Sequence, residues 1–407
     1  MKRLQAFLLA FILFVATVTG MHVLGKKVGF KSATGDFNRW YSRYKDASAD
    51  ALKSNINDKT MIVFGSSEFG HLKKSKYYYA NMYSPDKMDV QVIAQPYSQT
   101  LNHAIAAGGI GQCVKSKKAV LILSPSWFEG EGVNKSAFQM RFSESLYISF
   151  LKNKILSDEI KRELADRVYT LLSDDDKTLE KVKLYNKVYL DKDQSLFTLI
   201  PARFYERFAE DRENSALRIA MLKHKLFKES ITKVYAGQSC DREKSSIKAP
   251  VKKKDFVKLW RKANRQARKK SSNEMMMRDR EWNKTFRNLY FESEDKHEGE
   301  SMTISEEYYD LELFLQICKE QGIEVKLVVQ PVNGYWYDYT GMSVDEREGF
   351  HEIIHQIAKE SGVKLQDFGK YDYEPYVVTD AVHPWGKGWL LLNDAIYSFY
   401  KNKKPLM

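Results

Sequence analysis

Five short apolar runs, alternating with stretches of helical character, constrain this chain to an α/β fold built on a parallel sheet with crossover helices. The runs lie at 60–64, 90–94, 119–123, 325–329 and 363–368, and the helical stretches include 101–107, 345–360 and 385–400. With 407 residues, 43% of them hydrophobic, the chain can bury a full core, so a disordered protein is excluded.

Between the third and fourth runs the character changes. Residues 130–300 are charged, poor in strand signals and contain only Pro201 and Pro250, which predicts a helical insertion between two halves of the sheet. This stretch also sets the sign of the protein: 241–287 holds seventeen Lys/Arg against six Asp/Glu, in a chain whose net charge is +12. Phe256, Trp260, Ala263 and Ala267 recur at helical spacing and would dock on the body. Lys262, Arg265, Arg268 and Lys269 would then face outward as candidate binders of a polyanion or of anionic headgroups; a merely solvated helix face is the alternative. No nucleic-acid module is recognisable, so nucleic acid is not an expected partner.

Residues 6–24 carry no charged side chain. Such a stretch rises about 28 Å as a helix, enough for a bilayer core of roughly 30 Å, and a retained single-pass anchor is expected in preference to a cleaved signal peptide ending near Thr17, Thr19 and Gly20. The expected organisation is therefore an anchor at 1–25, a tether at 26–58, the first part of the core at 59–129, the basic insertion at 130–300 and the second part at 301–407. Cys113, Cys240 and Cys318 cannot form an even-numbered disulfide framework.

Two short motifs carry chemistry. Phe64-Gly65-Ser66-Ser67-Glu68 ends the first run, and Thr379-Asp380-Ala381-Val382-His383-Pro384 stands just before the last helical stretch. A serine hydroxyl needs a base within hydrogen-bond reach, and that base needs a third group to fix its tautomer. His383 and Asp380, three residues apart across a turn, supply those roles for Ser67, while Pro384 extends the preceding residue and favours a helix start. Read singly, the motifs are also a helix cap and an ordinary turn. His351 and His355 lie four apart on a helix, but no further ligand is evident and an exposed face is expected; His103 and His224 read as structural. No metal and no cofactor is expected.

A serine after an early strand with a late Asp-x-x-His is the serial order of SGNH (GDSL-like) serine hydrolases. The chain further resembles the DltD family. That likeness rests on Phe64-Gly65-Ser66-Ser67-Glu68, Ser124-Pro125-Ser126-Trp127-Phe128, Asn333-Gly334-Tyr335-Trp336-Tyr337-Asp338, Asp380-Ala381-Val382-His383 and Gly386-Lys387-Gly388-Trp389, in that order. The resemblance implies an SGNH-like three-layer fold outside a Gram-positive-type membrane, with Ser67, Asp380 and His383 as triad. It also implies a role in placing D-alanyl esters on teichoic acid, with a membrane-bound O-acyltransferase and other pathway proteins as partners. A surface esterase or thioesterase, or a non-catalytic scaffold, are the alternatives. The chain departs from the SGNH pattern where extra oxyanion donors are expected: Gln95-Pro96-Tyr97-Ser98 replaces the Gly-rich turn and Ser124-Pro125-Ser126-Trp127 has no Asn. Ser98 and Ser126 become candidate donors, with Trp127 and Trp336 as candidate substrate contacts. Trp385 and Trp389 would join these two in excluding water, unless all four are core.

Overall fold

The structure, a computed structural model, describes residues 2–27, 30, 37–130, 132–227 and 248–407. Five strands, β1 (Met61–Gly65), β2 (Val90–Ala94), β3 (Lys118–Leu123), β4 (Glu324–Val329) and β5 (Lys364–Asp367), form one sheet in the order β2-β1-β3-β4-β5. Every pairing is parallel, as the crossover pattern of the sequence requires. This is the flavodoxin-like order, whose direction of winding reverses between β1 and β3, and ligands of such sheets gather at the carboxyl ends of the strands beside that reversal.

Successive residues of β1 feed different cores. Ile62 and Phe64 join one apolar cluster while Met61 and Val63 join another, so both faces of the sheet are covered. The helices, in chain order, are α1 (Lys2–Lys27), α2 (Thr100–Ile110), α3 (Glu144–Leu151), α4 (Asp158–Leu171), α5 (Asp176–Tyr189), α6 (Leu196–Phe227), α7 (Lys253–Arg268), α8 (Glu307–Glu320), α9 (Val344–Glu360) and α10 (Gly386–Tyr400), with shorter turns between. Helices α2 to α5, α8 and α9 contribute to the first cluster; α7 and α10, with the aromatic segment 77–83, build the second.

No strand occurs among the described residues of 130–300, and the helices there are not a separate body, since buried residues of α3, α4 and α5 continue the core beneath the sheet. The stripe on α7 docks as its spacing requires: Phe256, Ala263 and Ala267 are buried and Trp260 is half-buried against Tyr371. Lys387 Nζ of α10 donates to Asn264 Oδ1 at 3.0 Å and fixes the two helices together.

The expected membrane-spanning segment falls on α1, whose Leu4, Phe7, Phe11 and Phe14 are exposed. Among the described residues no helix is long and apolar enough to cross a membrane, and the side chains of α1 from residue 21 onward lie outside them. Cys113 and Cys318 are free thiols, while Cys240 and the His224 side chain are outside the described residues.

Candidate active site

Ser67 opens a single 3-10 turn, Ser67–Gly70, directly after β1 and therefore at the winding reversal of the sheet. The turn is tight because Gly65 leaves room for the Glu68 carboxylate. A Cβ on Gly65 would lie 2.1 Å from Glu68 Oε1, which instead accepts the Ser66 N–H at 2.6 Å. The Ser66 hydroxyl donates to the Gln95 carbonyl at 3.0 Å, tying the turn to the end of β2.

The partner segment is clamped from several sides. Val378 and Pro384 form an antiparallel bridge, Thr379 N donates to the His383 carbonyl at 2.8 Å, and Gly388 N of α10 reaches the Val377 carbonyl at 3.1 Å. A Cβ at Gly388 would sit 2.6 Å from that carbonyl oxygen, so only glycine permits the approach. Arg278 N donates to the Thr379 carbonyl and Asn333 N to the Ala381 carbonyl, each at 2.8 Å. Asn333 also caps the helix Gly334–Tyr339 and donates from Nδ2 to the Met275 carbonyl at 2.8 Å, so the Asn-Gly-Tyr-Trp motif serves to brace this loop.

These constraints bring Ser67, His383 and Asp380 together. His383 Nε2 lies 2.8 Å from Ser67 Oγ, and its Nδ1 lies 2.9 and 3.0 Å from the two oxygens of Asp380. A carboxylate can only accept, so Nδ1 carries the proton and Nε2 is left to receive the serine hydroxyl. Asp380 is itself held by the backbone N–H groups of Val382 at 3.0 Å and His383 at 2.9 Å. Burial pushes the Asp380 pKa up, but the His383 hydrogen bond and charge, with those N–H donors, hold it below the usual carboxylate value. Burial would lower His383, yet Asp380, then Glu68 and Glu281, raise it above an ordinary imidazole.

Two neighbours carry no signal as site residues in the sequence. Glu68 is fully buried, and that burial pushes its pKa up to about 7 against the Ser66 hydrogen bond and the charge of His383. His71 stacks on His383 with ring centroids 3.6 Å apart and planes 11° apart. Burial, then the charge of His383, pushes His71 down to about 4. His71, Asp380 and His383 offer ligand atoms within 4.8 Å of one another. Both His383 nitrogens, however, already face Asp380 and Ser67 in hydrogen bonds.

Beside the triad, His71 and Asp380 border a cleft of about 1240 Å³ with Lys73, Lys74, Lys76, Lys269, Lys270, Arg278, Arg280 and Lys284 on its walls and Glu281 and Asp380 as the acidic groups. Of the four candidate polyanion binders, Lys269 lines this cleft; Lys262, Arg265 and Arg268 are exposed elsewhere on α7. Ser98 lines a separate cavity of about 330 Å³, and Ser126 Oγ pairs with Ser124 Oγ at 2.9 Å; neither lines the cleft. Trp127 is buried near His103, Trp336 is buried against Phe286 of the cleft wall, Trp389 is fully buried, and Trp385 reaches the cleft. His103 is buried and hydrogen-bonded to the Gly65 backbone, with burial pushing its pKa down to about 3. His351 and His355 do meet a carboxylate: Asp367 Oδ2 lies 2.8 Å from His351 Nδ1 and 3.0 Å from His355 Nε2.

Relatives of this chain carry one name. It is 27% identical over 355 residues to "Protein DltD" of Bacillus subtilis (strain 168), covering 86% of this chain and 84% of the relative. It is 27% identical over 358 residues to "Protein DltD" of Staphylococcus aureus (strain NCTC 8325 / PS 47), covering 85% and 82%. Identity to "Protein DltD" of Lacticaseibacillus rhamnosus is 22% over 309 residues, covering 75% and 69%. Residues 36–401 match the family described as DltD protein, a span that takes in all five strands, the cleft and the clamped Asp380–His383 loop, and the chain belongs to that family.

Proposed function

We propose that this protein is an acyl-transfer enzyme of the cell envelope, acting in the D-alanylation of teichoic acid with Ser67 as its nucleophile. The observation that carries the reading is the 2.8 Å approach of Ser67 Oγ to His383 Nε2, with Asp380 on the opposite nitrogen. In the proposed cycle His383 takes the Ser67 proton as Oγ attacks the carbonyl carbon of a D-alanyl ester or thioester. The tetrahedral adduct collapses, the donor alcohol or thiol leaves with that proton, and a D-alanyl-serine ester remains. A polymer hydroxyl then attacks the ester carbonyl, giving its proton to His383, which returns it to Ser67 Oγ as the D-alanylated polymer departs. The Ser67 backbone N–H is the oxyanion donor in this scheme.

Family membership supports the choice of pathway, and the eight cationic side chains of the cleft suit a polyphosphate acceptor. The strand order and the position of Ser67 after β1 support an SGNH-like core formed by 59–129 and 301–407, with 130–300 as its insertion. The exposed apolar side chains of α1 support an N-terminal membrane anchor, and a body on the outer side is part of the proposal. A membrane-bound O-acyltransferase and the other pathway proteins are the proposed partners. The test is complementation: cells lacking the protein regain D-alanine on teichoic acid with the wild-type chain and not with Ser67→Ala. Full restoration by Ser67→Ala refutes the proposal.

A further inference from the structure

His71 follows the Ser67 turn, four residues after the nucleophile, and its N–H bonds to the Glu68 carbonyl at 3.2 Å. Its ring is half-buried on the cleft wall. Among the described residues neither of its ring nitrogens has a hydrogen-bond partner, and its ring contact is the parallel face of His383 at 3.6 Å. The nitrogens are not among the buried polar atoms and face the cleft, so within the protein the ring is held by its face rather than by a hydrogen bond.

We propose that His71 is a positioning residue for His383: its ring covers one face of the base, fixes the plane in which Nε2 meets Ser67, and keeps water from that face. This deepens, and rests on, the reading of Ser67 as nucleophile. The groups facing His383 are Asp380 from its own loop, Glu68 and His71 from the turn after β1, and Glu281 from the segment preceding Trp282. Three are carboxyl groups that favour a proton on His383. Charges on both of two rings 3.6 Å apart would repel, so when Nε2 of His383 takes up the serine proton His71 stays neutral. His71 therefore acts through its ring plane rather than through acid–base chemistry of its own.

The experiment compares full-length wild type, His71→Ala and His71→Phe by the rate at which a fluorophosphonate probe labels Ser67 across pH, with His-selective ¹⁵N spectra following the titration of His383. In His71→Ala the rate falls about tenfold, as expected for a loosened near-attack geometry. Its acid limb moves to higher pH, because water regains a face of the imidazolium and eases its formation. His71→Phe keeps a flat ring and recovers most of the rate. A wild-type rate in His71→Ala overturns the proposal, and so does a loss in His71→Phe equal to that in His71→Ala, which would assign the effect to the nitrogens. If the wild-type protein is not labelled at all, the nucleophile reading fails separately. The spectra then decide the stacking claim, and an unchanged His383 titration in His71→Ala sinks it.

Discussion

At the scale of single residues the site is a balance between burial and charge. His383 must be neutral to act as a base, and its pKa is raised, so activity should rise with pH through a value above that of a free imidazole. Asp380→Asn removes the group that raises it; the acid limb of kcat/KM should move to lower pH while the rate falls by about 10³–10⁴-fold, because the wrong tautomer then faces Ser67. The stability contributions run in opposite directions. That of His383 is complete below its unfolded pKa and lost as pH rises through the raised folded one. That of Asp380 is complete above its unfolded value and lost as pH falls through the depressed folded one. Glu68 behaves like His383, with a stabilising term present below the ordinary 4.5 and lost as pH rises through about 7. A displacement of that size is worth roughly 3 kcal/mol. Glu68→Gln keeps the acceptor for Ser66 N–H and removes the titration, so denaturant unfolding at about pH 4 and about pH 8 should show the wild type losing roughly 3 kcal/mol relative to the variant.

At the scale of elements the site depends on how closely α10 approaches the loop before it. Gly388→Ala places a methyl group 2.6 Å from the Val377 carbonyl oxygen, so the helix must shift and carry the Asp380–His383 loop with it. Probe labelling of Ser67 should drop by about tenfold or more, since small displacements of reacting groups are costly. Labelling at the wild-type rate would mean the loop is held without the helix. This coupling explains what could be read from sequence. The strands were legible because β1 to β4 are largely apolar runs, broken only by single polar residues such as Gln91 and Lys326, and covered on both faces, while β5, at the sheet edge, was legible only as a short run. Helix α10 was announced by Pro384, and the meeting of Ser67 with Asp380 and His383 by two motifs at element ends. His71 and Glu281 were not legible, because their relation to His383 comes from tertiary packing rather than spacing. The outward residues of α7 were also only half placed. Helical periodicity put Ala263 and Ala267 in the docked stripe, but which flank borders the cleft is set by how α7 lies on α10.

At the scale of the whole molecule, the cationic cleft and the proposed N-terminal anchor each carry a test of what the protein meets. Reversing Lys269, Lys270 and Lys284 together to Glu should raise KM for a polyphosphate acceptor by about tenfold or more at low salt. Ester cleavage of a small neutral substrate should be little changed. Removing residues 1–30 should abolish co-flotation with lipid vesicles while leaving probe labelling of Ser67 intact, which separates attachment from chemistry. Both expectations presuppose that an acyl group passes through Ser67. The most direct measurement is peptide-mapped mass spectrometry of the protein after incubation with a D-alanyl thioester and no acceptor. A D-alanyl ester is expected on the peptide containing Ser67, absent from His383→Ala and released when a polyol acceptor is added. An unmodified Ser67 in the wild-type protein, under conditions where the polymer is still D-alanylated, would contradict it.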